Sequence, residues 1–265
     1  MASPLFEIVF VRFFFAFLVL FPIALITKKL HFHKKDLPHL LLISLFFAGN
    51  VLLYVIGLQY TTSIASQLFY LLTPTFVIIL SALFLHQKIE KKHLLSIVVG
   101  FAGGLLIIFR SSSSSVTQSL GNMKGNIVIL IAVAIWSLYV VSSKKLSHKY
   151  SPLSIITFVS FITAILAFLF LSMEKQNIIT AFTHAHFLTL VNLFLLVILN
   201  SIAFFFLYQW AIKLVKPFSV SLSTYLGLLS TAVLAIPLFG EQITPQLIIS
   251  SLLIITSSYL TFRKG

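Results

Sequence analysis

Of the 265 residues 59% are hydrophobic and only 9% charged, where a soluble domain carries about 25% charged residues, so a water-soluble fold is excluded and lipid is the expected solvent. The formal net charge of +13 would suggest nucleic acid in a soluble protein; here the Lys and Arg residues sit in short gaps between apolar runs, and no nucleic-acid partner is expected. There is no Cys, which excludes disulfides, thiolate chemistry and Cys-based metal sites together.

Nine stretches are apolar over about 20 residues, the length a bilayer requires. In chain order they run over 5–27, 38–60, 62–86, 92–110, 125–143, 152–172, 187–212, 217–239 and 245–262. The first reads as a retained span: no basic region precedes it, Glu7 and Arg12 interrupt it, and no small-residue cleavage site follows. The second and third are divided by little more than Tyr60-Thr61-Thr62, so that division rests on length. Between the fourth and fifth, Ser111–Gly121 (SSSSSVTQSLG) reads as a flexible external linker.

Alternate gaps hold most of the 18 Lys and Arg residues: Lys28, Lys29, Lys34 and Lys35; Lys88, Lys91 and Lys92; Lys144, Lys145 and Lys149; Lys213 and Lys216; Arg263 and Lys264. The other gaps have only Arg110, Lys124 and Lys175. Positive-inside bias then puts the C-terminus in the cytoplasm and the N-terminus of this chain outside, in the inner or plasma membrane.

The chain also repeats itself. SPLFEIVFVRFFFAF at 3–17 reads against SPLSIITFVSFITAI at 151–165, and Leu53-Tyr54 recurs as Leu207-Tyr208, 154 positions on. The second copy carries an apolar segment, 125–143, before its SPL, where the first has only Met1 and Ala2; the first copy is therefore expected to be one helix short. A complete copy holds five spans, an odd number, so consecutive copies enter the membrane in opposite orientation. The expected fold is all-α and integral to the membrane: nine transmembrane helices from two inverted five-helix repeats, the first repeat one helix short. The repeats occupy 1–110 and 124–265, with 111–123 as the linker. Inverted repeats place a substrate site near the midplane and work by alternating access.

The segments SPLFEIVFVRFFFAF, SIASQLFYLLTPTFVIILSALFL, VVGFAGGLLIIF, AIWSLYVVSSKKL and FSVSLSTYLGLLSTAVLAIPLFGEQIT, in this order and spacing, resemble the EamA-type branch of the drug/metabolite transporter superfamily. The resemblance implies carriers of ten helices in two inverted repeats that move small metabolites or drugs, usually outward. Two departures stand out. The family's first helix has no counterpart, and its Gly-Glu survives as Gly240-Glu241 but is His86-Gln87 in the first copy.

Arg12 is the only basic residue well inside a span, where insertion costs about 2.5–3.5 kcal/mol. Two readings stay open: an anchor for an anionic or zwitterionic substrate, or a structural Arg bonded to backbone carbonyls or Glu7. Asp36, Glu90 and Glu174 fall in loops, and Glu7 and Glu241 near span ends, so no dedicated proton carrier is expected and exchange or facilitated diffusion is favoured. Asn50 and Tyr54, four apart, share a helix face, and Asn200, Phe204 and Tyr208 repeat that arrangement. Gln67 and Tyr70 open the third span, Ser221 and Tyr225 stand near their counterparts in the eighth, and Trp136 and Tyr139 come from the fifth. With Arg12 these are the expected lining of a substrate cavity, offering hydrogen bonds and stacking surfaces to a small amphiphilic solute. The competing readings are interfacial anchoring by Tyr and Trp and interhelix hydrogen bonding by Asn50 and Asn200. Pro74, mid-span, is expected to kink its helix. Gly100 and Gly104 form a GxxxG, read either as a homodimer face or as close packing within the chain.

No HExxH, GxSxG or P-loop occurs, and no two carboxylates share a helix face at depth, so neither an enzyme nor a cofactor or metal is expected. Two function classes remain: a small-molecule permease whose partners are the bilayer and its solute, and a non-transporting relic or accessory membrane subunit.

Overall fold

The computed structural model describes residues 5–85, 121–173, 187–221 and 245–262, with single positions between 95 and 106 and between 223 and 238. The described elements are all helical: α1 (Leu5–Ile26), a 3-10 turn (Lys34–Asp36), α2 (Leu37–Leu58), α3 (Ser63–Tyr70), α4 (Thr73–Leu85), α5 (Met123–Ser147), α6 (Pro152–Met173), α7 (Phe187–Leu195), a π-helical segment (Leu196–Phe204), α8 (Phe205–Leu214), α9 (Pro217–Ser221) and α10 (Pro245–Phe262). Helix is what such sequences must adopt in hydrocarbon, where no water satisfies a backbone group left unpaired.

Among the described residues six helices, not the nine expected, are long and apolar enough to cross a membrane. They are Phe6–Ile26, Lys34–Leu58, Ser63–Phe84, Met123–Ser147, Pro152–Met173 and Phe187–Leu214. The spans expected over 92–110 and 217–239 lie largely outside the described residues, as do most of the Ser-rich linker, Tyr225, Gly104, His86-Gln87 and Gly240-Glu241. The ninth corresponds to α10 (Pro245–Phe262), which is not among the six.

Local chemistry sets the helix limits. Thr62 caps α3 by accepting the Ala65 N–H at 3.2 Å, and Asn122 accepts the Lys124 N–H at 2.9 Å ahead of α5. The second SPL is itself a helix start: Ser151 accepts the Ser154 N–H at 3.0 Å and Pro152 takes the first helical position. In the Ser63–Phe84 span the helix stops at Tyr70 and restarts at Thr73. Pro74 has no N–H to give the Tyr70 carbonyl four residues back, and the Thr73 hydroxyl donates to that carbonyl instead, at 2.6 Å.

Two compact units make up the chain, Met1–Leu52 with Ser142–Val215, and Leu53–Val141 with Lys216–Gly265. In the first unit α1 packs along α6 and touches the π segment, and α8 also packs on α6. A stripe on α1 (Val9, Phe13, Ala16, Leu20, Ala24) is buried at helical spacing, while Phe15, Leu18, Ile23 and Leu25 face outward, as suits a lipid-facing surface. The α1–α6 register is antiparallel and marked by rings: Phe6 meets Phe170 at 5.5 Å, Phe10 meets Phe168 at 5.5 Å and Phe17 meets Phe161 at 5.0 Å between centroids. Two threonine hydroxyls of α6 bond to their own helix, Thr157 donating to the Leu153 carbonyl at 2.7 Å and Thr163 to that of Val159 at 2.8 Å.

The second unit has an apolar core of Ile64, Leu68, Phe69, Leu71, Leu72, Ile129, Val133 and Ile254. Here α10 packs on α3 and α4, and α9 on α4. Glycines bring backbones together at its edge. A Cβ on Gly125 would stand 2.7 Å from the Tyr60 carbonyl carbon, and Gly121 holds a φ of +70° against Thr61. The Asn122 N–H donates to the Tyr60 carbonyl at 2.7 Å and the Thr61 hydroxyl to Asn126 Oδ1 at 2.5 Å.

Candidate functional site

Among the described residues, each unit holds a group of polar side chains inside apolar helices. In the first unit Arg12, from the middle of α1, reaches the π segment. Its Nη2 donates to Asn200 Oδ1 at 2.6 Å and its Nε to Ser201 Oγ at 3.2 Å, with the guanidinium carbon 5.5 Å from the centre of the Phe13 ring. Phe13, Phe47 and Phe205 form a three-ring cluster with centroids 5.5, 6.0 and 4.7 Å apart. The Tyr208 ring lies 5.7 Å from that of Phe204, and both Tyr208 and Asn50 are buried.

In the second unit α2 contributes Tyr54, and α3 contributes Gln67 and Tyr70, one helical turn apart. Gln67 Nε2 donates to the Tyr54 hydroxyl at 3.3 Å, and the Tyr54 and Tyr70 rings meet edge to face at 5.5 Å. Gly227 passes so near that a Cβ there would lie 3.1 Å from Gln67 Oε1. All three side chains are half-buried, which leaves polar edges able to meet a solute. Trp136 and Tyr139 stack at 5.2 Å but are closed off, at 4% and 1% exposure. Ser221 is buried and donates to the Phe218 carbonyl at 2.6 Å. The structure thus brings Arg12 to Asn200, and Tyr54 to Gln67 and Tyr70. Tyr225 lies outside the described residues.

Several polar contacts escaped sequence reasoning. Ser201 is one; its only signal was standing beside Asn200 in an apolar run. A second group joins the loops of the first unit. Lys149 Nζ donates to both oxygens of Asp36 at 2.8 and 3.0 Å, the Tyr150 hydroxyl donates to Asp36 Oδ2 at 2.7 Å, and the His33 N–H donates to the Tyr150 oxygen at 3.1 Å. The bond to Asp36 raises the Lys149 pKa, and burial raises that of Tyr150. The Ser154 hydroxyl donates to the Lys29 carbonyl. Lys144 Nζ, a residue otherwise legible only as part of a basic loop, donates to the carbonyls of Ile212, Lys213 and Val215 at 2.8, 3.1 and 2.9 Å, closing the end of α8.

No group of three or more His, Asp or Glu that could hold a metal ion occurs among the described residues. Gly103 faces α10 within its own unit: a Cβ there would stand 2.7 Å from Ile254 Cγ1 and 3.1 Å from Leu253 Cβ.

Among proteins of known sequence, the chain is similar to the uncharacterised transporter YyaM of Bacillus subtilis (strain 168), 29% identical over 138 residues, or 52% of this chain and 45% of that one. The chain thus matches less than half the length of that relative. It is similar over 98% of its length to an uncharacterised transporter of Clostridium kluyveri, at 25% identity and 84% of that protein. A crystal structure shares the fold with a TM-score of 0.70 at 15% identity, covering 98% of this chain and 88% of the other. The model of the EamA-like transporter family matches residues 2–109 and again 123–263. With two matches that together take in most of the sequence and several apolar helices of spanning length, this is an integral membrane protein, and the chain belongs to the EamA-like transporter family.

Proposed function

We propose that this chain carries a small solute across the membrane by alternating access between its two repeats, with export or exchange as the direction of use. The observation that carries the reading is the Tyr54–Gln67–Tyr70 group in a chain both of whose halves match a transporter family. A half-buried amide bonded to a phenol, with a second ring packed edge-on, offers both hydrogen bonds and a stacking face. That suits a small amphiphilic solute with a planar or polar edge. The group holds no carboxylate, His or Lys, which fits exchange or facilitated diffusion better than proton coupling through it.

The membrane would be the inner or plasma membrane, with the C-terminus in the cytoplasm, on the strength of the Lys-rich alternate gaps. The test is a comparison of metabolites inside and outside cells that overexpress or lack the chain, followed by uptake of the responding solute into proteoliposomes. A solute whose distribution follows expression, and whose uptake falls in Gln67→Ala, supports the reading. No such solute in cells, with protein present in the membrane at normal level, overturns it.

A further inference from the structure

We infer that Arg12 is a positioning residue that holds Leu196–Phe204 in its π winding and so decides which face of α8 is buried. A π-helix is rare and normally a single turn. This one runs for nine residues, LVILNSIAF, and contains neither Pro nor Gly to force a departure from α. The cause must therefore be tertiary. The contact sits at the middle of the segment: Arg12 grips Asn200 at 2.6 Å and Ser201 at 3.2 Å, two consecutive side chains. The Phe205 N–H is shared between the carbonyls of Ile202 and Asn200, the latter five residues back as in the wide winding. A guanidinium suits the task because its donors are fixed in one plane, so two neighbouring acceptors are held at a set spacing. Arg12 is itself anchored by α1, which packs along α6.

The consequence lies downstream. A π segment turns the chain through a smaller angle per residue than an α-helix does, so α8 enters with a rotation that a continuous α-helix would not give. In that rotation Phe205, Tyr208, Gln209 and Ile212 face inward, and Leu207, Trp210 and Leu214 face outward. Gln209 Nε2 then reaches Ser147 Oγ at 2.9 Å. Releasing the clamp lets the segment rewind to α and rotates these residues on the order of a quarter turn or more.

Helix rotation can be measured with no solute present, independently of transport. The native chain has no Cys, so a nitroxide attached at each of positions 205–214 in turn is the sole label. Oxygen-collision accessibility in liposomes should peak at Leu207, Trp210 and Leu214 in the parent. With Arg12→Gln the peaks should move to other positions, and the double variant Asn200→Ala, Ser201→Ala should move them the same way with Arg12 still present. If Arg12→Gln fails to insert, the double variant alone decides. Peaks unchanged from the parent in an inserted variant overturn the inference.

Discussion

Asp36 and Lys149 stand 113 positions apart and meet at 2.8 Å, tying the 3-10 turn before α2 to the loop before α6. Lys149 is half exposed, and an isolated exposed pair contributes little. This pair is not isolated, since Tyr150 donates to the same carboxylate and accepts from the His33 backbone. The bond to Asp36 raises the Lys149 pKa. A raised folded-state value means that the contribution is complete below the unfolded Lys value of about 10.4 and is lost as pH climbs through the folded one. Thermal unfolding in detergent should therefore fall more steeply above about pH 10.4 in the parent than in Asp36→Asn. Equal slopes would show that the pair does not contribute.

Tyr150→Phe removes the hydroxyl that joins Asp36 to His33 while keeping the ring, which packs 5.2 Å from Phe32. The expected loss is about 1–2 kcal/mol, the usual result of leaving a partly buried acceptor and donor without their shared partner. Chemical denaturation of the detergent-solubilised protein measures it.

Lys144→Met should destabilise through α8. It keeps the apolar stem and removes the ammonium from three carbonyls at the helix end, with an expected cost of about 1–2 kcal/mol. Lys145→Met, on the exposed neighbour, should leave stability unchanged within about 0.5 kcal/mol. Melting temperatures of the two variants, taken together, check the assignment.

Gly125→Ala and Gly57→Ala should differ although both add one methyl to a helix. At Gly125 the new Cβ meets the Tyr60 carbonyl carbon at 2.7 Å and the Thr61 nitrogen at 2.9 Å, both backbone atoms that cannot step aside. At Gly57 it meets side-chain atoms, Ile129 Cδ1 at 2.6 Å and Cγ1 at 2.8 Å, and the nearest backbone atom, the Gly125 carbonyl oxygen, stands at 3.4 Å. Overpacking costs of roughly 1–3 kcal/mol apply at Gly125 and match or exceed the gain of about 1 kcal/mol from helix propensity. Thermal unfolding should order them Gly125→Ala below Gly57→Ala.

Tyr54→Phe should lower solute affinity, raising the KM for uptake severalfold with little change in maximal rate, because it removes the hydroxyl that accepts from Gln67 and keeps the ring against Tyr70. Initial-rate uptake in proteoliposomes over a range of solute concentrations checks it.

Composition settled the solvent, and continuous apolar runs, unlike the short alternating segments of a β-barrel, settled the helical backbone. Helix starts were legible too, since Ser151-Pro152 is a cap and a first-turn proline in chemical terms. That Pro74 lacks an N–H for the carbonyl four residues back was legible as well, though not the rescue of that Tyr70 carbonyl by Thr73. The count of nine spans went beyond what hydropathy can carry, because an apolar run shows that a segment is fit for lipid and not how far one helix continues. The spacing of Asn50 and Tyr54 put them on one helix face, but it could not show that Tyr54 accepts from Gln67 on another helix. Only the tertiary structure could decide that Arg12 meets Asn200 and Ser201 across 188 and 189 positions, that Lys144 closes α8, and that a run free of Pro and Gly is wound as π. The physical reason is common to all three. A sequence displays the needs of a buried polar group, one or more hydrogen bonds in a medium without water, but which atoms meet them depends on which helices come side by side.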